Sequence, residues 1–491
     1  MKNKTIRILL TVAGAVVLFA AGFLLGGQRS VSDPAPVKVS ETDVKVPFDG
    51  LVQTVEGTTP QMLHAEYWTE KTSDEVLFTS EQISDFNKNN PLFVLYYSNT
   101  QNVSKKLFMY DLPESLTGEA VSALIEPQLL SKMQADGLVA FVNGKAPDDA
   151  YLDALDANRA LDAVAADVSP RYAICLRRVV SMRLPTDDFA AGDPDEQYCN
   201  EFISAEIPPF SGVAVLHESA DKQWYYVLYE SFCGWVHKDA LALCTDREQW
   251  LSACRPEQFL IVTGSELVLD ETVEPSPSSG MVLPMGTKMK LSSVPQPVKG
   301  RAPLGCYTVE LPCANADGSL GWEPVLVPVS KDVHVGYLSM TSDSVIEQAF
   351  KLLGRVYGWG GSLSSNDCSG IVCQIYGCYG FELPRNAFSI AKLSDLGRSN
   401  CIEMTPARKT EILRKLPPGT LLYFEGHIMI YLGMDGDTPY VISSCGKYVN
   451  PGNDAIEIQD AYCVMVSGLN LRRASGKTWL DELYYFQWKD Y

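Results

Sequence analysis

Histidine is scarce in this chain: there are five in 491 residues, and after His64, His217, His237 and His334 only His427 remains. Any imidazole chemistry in the last third therefore falls to one residue. Basic charge is also short, with 40 Lys and Arg against 60 Asp and Glu, a net charge of -20. That balance excludes nucleic acid as a partner and otherwise reads as solubility. The thirteen cysteines are odd in number and scattered. Cys368, Cys373 and Cys378 follow one another at intervals of five, a spacing no zinc site uses, so no metal is expected. No disulfide pairs are assigned; most of the others read as small buried residues or occasional bridges. With 46% hydrophobic residues the composition is that of a folded protein, and the length suggests roughly three or four domains.

What is present begins with Lys2, Lys4 and Arg7, followed by an apolar run from Ile8 to Gly27. Such a run is long enough to cross a hydrocarbon core about 30 Å thick. Positive charge ahead of it predicts that the N-terminus stays inside and the body is exported. No A-x-A cleavage site follows and no cysteine is placed for a lipid anchor. Residues 1–29 are therefore expected to anchor the protein in the cytoplasmic membrane. The alternative is a cleaved signal peptide and a secreted body. Residues 30–43, rich in Pro, Ser, Val and charge, read as a linker.

A mixed domain of unknown role is expected over 44–168, with a strand at Pro91–Tyr97 and helical stretches over 118–134 and 148–168. His64 there is read as structural. Over 169–250 the pattern turns to short strands (Val213–Leu216, Trp224–Tyr229, Gly234–Val236) around the turn Ser219–Lys222, which fits a small barrel. A second barrel is expected over 251–340, with strands at Phe259–Val262 and Met289–Leu291 and a loop at Val273–Gly280. His217, His237 and His334 belong to these modules and are read as structural.

The region 341–491 opens with a helix whose capping box is read as Ser344 and Glu347, with Ile346, Ala349, Phe350 and Leu353 as its stripe and Gly354 as its stop. The glycine-rich Tyr357-Gly358-Trp359-Gly360-Gly361 leads to Asp367-Cys368-Ser369-Gly370. There a second helix begins, with Ile371, Val372, Ile375, Tyr376 and Tyr379 on one face. Three antiparallel strands follow: Thr420–Phe424, His427–Leu432 and Pro439–Ser443, the last two joined at Asp435-Gly436. Tyr423, Phe424 and the Tyr484-Tyr485-Phe486 cluster read as packing.

A thiol reacts as its thiolate, and an unperturbed cysteine at pKa ~8.5 is mostly protonated at neutral pH. Cys368 at a helix N-terminus faces unsatisfied N–H groups, which favour the ionised sulfur. His427 is the histidine available to activate it and then to protonate a leaving amine. Alternation places His427 on the side of Met429 and Tyr431, the face expected to pack on the cysteine helix. The Cys368 N–H and the Tyr357 hydroxyl are candidate oxyanion donors.

Residues 341–491 resemble an NlpC/P60 domain, a papain-like cysteine peptidase of bacterial cell walls. The resemblance rests on Asp367-Cys368-Ser369-Gly370, Leu383-Pro384-Arg385, His427–Gly433 and Gly476-Lys477-Thr478-Trp479-Leu480. Leu216-His217-Glu218-Ser219, Trp224-Tyr225 and Gly234-Trp235-Val236 resemble a bacterial SH3 module, and Arg183-Leu184-Pro185-Thr186 resembles the approach to it in one peptidase subgroup. The fold implied is multidomain α+β: membrane anchor, mixed domain, two SH3-like barrels, and a papain-like peptidase. The activity implied is cleavage between γ-D-glutamate and the diamino acid of peptidoglycan stem peptides, without metal or organic cofactor. The resemblance implies Cys368 as nucleophile, His427 as base and Tyr357 near the oxyanion, with Trp359, Asp367 and Ser369 shaping the peptide pocket. In that subgroup the first SH3 module walls off the pocket and restricts cleavage to peptides with free N-terminal L-alanine. Arg385 is a candidate either for a substrate carboxylate or for pairing with a nearby acid. The family's third polar residue, often histidine, orients the base; here Ser443 occupies that position, with Asn450 as the other candidate. This departure leaves two rival readings, a degenerate wall-binding scaffold and an acyl or amide transferase on the same fold.

Overall fold

Alternating β-branched and aromatic residues build two sheets in the middle of the chain. A computed structural model describes residues 52–125, 130–452 and 456–487. The apolar run and the linker lie outside the described residues, among which no helix is long and apolar enough to cross a membrane. The first sheet has seven strands in the order Ile203–Ile207, Val179–Met182, Phe232–His237, Trp224–Tyr229, Gly212–Glu218, Arg171–Cys175, Leu241–Leu243. All six residues of Trp224–Tyr229 are buried, because preceding segments cover this sheet. Tyr226 Oη, for example, donates to Leu124 O at 2.7 Å. The second sheet has five strands, with Phe259–Val262 between Lys288–Leu291 and Val333–Val335. Its small core includes Leu260, Leu283, Met289 and Val309.

The described part of 44–168 contributes to two cores. Met62, Trp68, Phe78 and Phe86 pack with the cysteine helix of the last region. Leu107, Met109, Leu124 and Leu155 pack with the seven-stranded sheet. Val76–Phe78 even pairs with Met340–Thr341. The helix expected over 148–168 stops at Asn158, and Ala160 takes a left-handed φ of 51°. Over 118–134 the described helices are Gly118–Ile125 and Leu130–Ala135.

The C-terminal sheet has six strands in the order Arg398–Asn400, Tyr485–Gln487, Leu421–Phe424, His427–Asp435, Thr438–Val449, Ile458–Gly468. Its helices begin at good caps. The helix Ser342–Phe350 is capped by Thr341, whose reciprocal partner is Ser344. Ser344 is thus the N3 residue of the box and not its cap: the hydroxyl three residues upstream satisfies its N–H first. The cysteine helix, Cys368–Gly377, is capped by Asp367, whose carboxylate accepts from Gly370 N at 2.8 Å. Such a cap is worth about 1 kcal/mol. Ile371, Val372 and Ile375 of this helix pack on Ile428, Ile430 and Leu432. Met429 and Tyr431 lie in the opposite core with Leu413 and Trp479. The expectation that the His427–Met429–Tyr431 face packs on the cysteine helix is therefore corrected. The aliphatic Ile428, Ile430 and Leu432 on the even positions face the helix, and Met429 and Tyr431 on the odd positions face the other way.

Candidate functional site

Two elements deliver the reactive groups. The glycine-rich turn brings the chain to the cysteine helix through left-handed backbone at Gly360 and Gly361, with φ of 57° and 100°. Gly361 is further constrained from outside, since a Cβ there would lie 2.3 Å from Glu206 Cβ of the seven-stranded sheet. Cys368 is the first residue of the helix and is 8% exposed. His427 is the first residue of its strand, beside the hairpin turn that joins it to Phe424. Cys368, His427 and Tyr357 line one cavity of about 400 Å³, together with Cys445, Arg473 and Trp479. That volume suits a short peptide segment.

The imidazole is held from two directions. Its Nε2 is hydrogen-bonded to Ser443 Oγ at 3.0 Å, which leaves Nδ1 for other chemistry. Its ring packs against Phe424 and Trp479, at centroid distances of 5.3 and 5.4 Å. Ser443 sits on the adjacent strand and is fully buried. Asn450 has no described contact with the ring; Ser443 is the residue that meets it.

Asp367, Ser369 and Arg385 form one cluster. Arg385 Nη1 and Nη2 donate to the two carboxylate oxygens of Asp367 at 2.8 and 3.1 Å, a bidentate pair. Arg385 Nη1 also donates to Ser369 Oγ at 2.9 Å, and Ser369 Oγ donates to Asp367 Oδ1 at 3.0 Å. Of the two readings of Arg385, pairing with a nearby acid is the one realised. Gly360 N donates to Asp367 Oδ2 at 3.0 Å, so one carboxylate ties the glycine turn to the helix. Trp359 is half-buried and packs against the core of the seven-stranded sheet, outside the cavity that holds Cys368 and His427.

The electrostatics favour neutral partners at rest. Burial pushes the Cys368 thiol up to about 12, with Asp367 adding to the shift. The Ile428 N–H, the Arg385 guanidinium and the Ser369 N–H act against it. Contrary to the expectation from the sequence, the helix N-terminus does not outweigh desolvation here. Burial likewise lowers His427 to about 3, Arg473 works in the same direction, and Asp367 opposes them. Burial also raises the Tyr357 phenol, with the Asp367 carboxylate adding to the shift, so it stays a hydrogen-bond donor. Asp367 is held below the usual carboxylate range: burial works to raise it, and Arg385 with the Gly370 N–H and Ser369 outweighs burial.

The remaining histidines have structural partners. His217 Nε2 meets Arg159 O and Ala160 O at 3.1 and 3.0 Å. His237 meets Asp187 at 3.0 Å, and His334 Nδ1 meets Gly336 O at 3.0 Å. His64 stands at the start of the short helix Ala65–Thr69. All thirteen cysteines are free thiols, and no group of metal-ligating side chains is present among the described residues.

Sequence reasoning missed most of the cavity's lining, Cys445, Trp479 and Arg473 among it. Cys445 lies two positions beyond Ser443 on the same strand, so strand alternation was an available signal. Trp479 lay inside Gly476–Leu480 but carried no role there. Arg473 follows the last long strand in a stretch without period, and nothing marked it.

The NlpC/P60 family model matches residues 354–465, and an SH3 domain model of the SH3b1 type matches 199–237. No curated protein matches the chain. Among solved structures, an NlpC/P60 endopeptidase from Photobacterium damselae subsp. piscicida is similar at TM-score 0.68 and 15% identity. The alignment covers 89% of this chain and 98% of that one. An NlpC/P60 family protein from Bacillus cereus ATCC 10987 aligns over 64% of this chain and 98% of its own, at TM-score 0.44 and 16% identity. At 15% identity the likeness to the Photobacterium structure is one of fold.

Proposed function

We propose that this chain, which carries an NlpC/P60 domain behind an SH3b-type domain, is a cysteine endopeptidase of the bacterial cell wall. The bond cut is the one between γ-D-glutamate and the diamino acid of peptidoglycan stem peptides, and the body acts outside the cytoplasmic membrane. The observation that carries the reading is a thiol at a helix N-terminus and an imidazole, fixed by Ser443 through Nε2, on the wall of one cavity.

Cys368 Sγ attacks the amide carbonyl carbon while His427 Nδ1 takes the thiol proton. Starting from neutral thiol and neutral imidazole, proton transfer accompanies attack, as general base catalysis requires. The oxyanion is stabilised by the Cys368 N–H and the Tyr357 hydroxyl. The C–N bond breaks as the imidazolium returns the proton to the leaving amine, leaving a thioester on Cys368. Water then adds to the thioester with His427 again as base, and release of the carboxylate restores the thiol. Ser443, accepting from Nε2–H, selects the tautomer with Nδ1 free. Asp367, Ser369 and Arg385 act on the site through the cluster that fixes the helix start.

The test is incubation with L-Ala-γ-D-Glu-diaminopimelate peptides, with free and blocked N-termini, beside Cys368→Ala, products being read by mass. Release of L-Ala-γ-D-Glu by the wild type alone supports the reading. Cleavage of blocked peptides as well keeps the enzyme and removes the free-amine restriction. Binding to wall without any product favours the scaffold reading, and transfer of the acyl group to an added amine favours the transferase.

A further inference from the structure

The seven-stranded sheet reaches the reactive loop through one side chain. Arg178, just before the strand Val179–Met182, is 13% exposed, and its partner Glu206 is 5% exposed. Arg178 Nη2 donates to Glu206 Oε2, to Ser365 O, and to Asn366 Oδ1 at 3.3 Å. Ser365 and Asn366 are themselves buried and immediately precede Asp367 and Cys368. Asn366 O is held from the other side by Ser444 Oγ at 2.7 Å. A second tie runs from the same sheet, where Ser231 Oγ accepts from Arg385 N at 3.1 Å.

The loop that Arg178 grips is strained. Besides the two glycines, Leu363 and Ser364 have φ of 54° and 50°, a region that side chains with a Cβ disfavour. Such backbone persists only where its surroundings over-determine it. The grip itself is incompletely satisfied, since Arg178 Nε is buried without a partner. A buried ion pair is weak evidence for stability and fits better with fixing one geometry.

We infer that Arg178 is a positioning residue for the reactive cysteine: by clamping Ser365 and Asn366 it holds the Asp367–Cys368 joint in register with His427. Glu206 keeps the guanidinium aimed at the loop, and the missing side chain at Gly361 makes room for Glu206. The peptidase fold alone then does not complete its site, because the last constraint comes from the segment that leads into the seven-stranded sheet. The inference rests on the proposed nucleophile, but its test does not need peptide cleavage.

In the full chain, Arg178→Gln and Arg178→Lys are compared with wild type by the rate at which iodoacetamide alkylates Cys368. The rate is followed across the neutral to alkaline range by mass of the Cys368 peptide. With Arg178→Gln the alkylation midpoint is expected to move by about one pH unit. On a cleaved peptide, kcat is expected to fall about tenfold with KM little changed. Arg178→Lys, which keeps the charge but loses the fork, is expected to fall between. If Arg178→Gln does not fold, the double variant Arg178→Met/Glu206→Met removes both buried charges and carries the same comparison. Folded variants with a wild-type alkylation profile overturn the proposal, even where their melting temperature drops. A shifted profile in a protein whose wild type cleaves no stem peptide upholds the positioning and sinks the peptidase reading instead.

Discussion

Ser443 carries a heavier role than its size suggests, because it is the polar side chain described as meeting His427. A neutral hydrogen bond is worth about 1 kcal/mol, so Ser443→Ala is expected to lower kcat about five- to tenfold. Ser443→Asn, which can still accept from Nε2–H, should retain more, and steady-state kinetics would separate the two. A loss of several orders of magnitude would mean that the serine does more than orient. The pH profile is a second test at this scale. Burial holds His427 down to about 3, so the neutral, basic form persists far below the ordinary histidine range near 6.5. The acid limb of kcat/KM should therefore lie below pH 5, since activity needs the unprotonated ring. An acid limb between pH 6 and 7 would show a ring more hydrated than the packed site implies. Cys368 and His427 could be singled out in the sequence as candidates because a thiol on a loop-to-helix joint and a lone histidine leave little choice, and the fold brings both to one cavity wall. The neutral resting state could not be read there, because desolvation depends on what covers the site.

At the scale of elements, the glycine turn and the cysteine helix act as one unit joined by Asp367. The carboxylate accepts from Gly360 N and Gly370 N while paired to Arg385. Gly361 has no freedom to gain a side chain: its φ is 100°, and a Cβ would meet Glu206. Gly361→Ala is expected to cost about 1–3 kcal/mol, read as a lower denaturation midpoint at unchanged m-value. It should also slow Cys368 chemistry, since the turn must shift to accommodate it. An unchanged midpoint would mean that Glu206 moves aside freely. The helix itself was readable from its apolar spacing, as Ile371, Val372, Ile375 and Tyr376 are all buried, with Tyr379 buried just beyond its end. The strand bearing His427 was readable as a strand, but its facing was misassigned. Both of its faces are apolar and buried, and alternation cannot rank two buried faces.

For the whole molecule, the chain's first described segment is part of its last domain. Trp68 is 1% exposed, packs on Tyr440 at a centroid distance of 5.3 Å, and donates from Nε1 to Met62 O at 2.9 Å. Lys71 Nζ meets Asp435 at 3.0 Å, and Tyr67 Oη donates to the same carboxylate at 2.6 Å. Trp68→Ala should therefore destabilise the peptidase region by about 3–5 kcal/mol. Urea unfolding followed by hydrogen exchange in the strand His427–Asp435 would check it. Loss of protection confined to residues 57–90 would instead make this segment an independent unit. The apolar residues in the described part of 44–168 serve two separate cores and share no single face, an arrangement that no local period in the sequence marks.

The sequence by itself singled out Cys368 and His427 as a candidate pair, with the helix and the strand that carry them. Those follow from local rules: a capping carboxylate before a cysteine, a glycine turn, and alternation in short strands. Tertiary structure decided which side of the histidine strand meets the helix, that Arg385 pairs with Asp367, and that thiol and imidazole rest neutral. It also decided that an arginine 190 residues upstream of Cys368 grips the reactive loop. Each of these depends on burial and on contacts between segments far apart in the chain, quantities that no local pattern encodes.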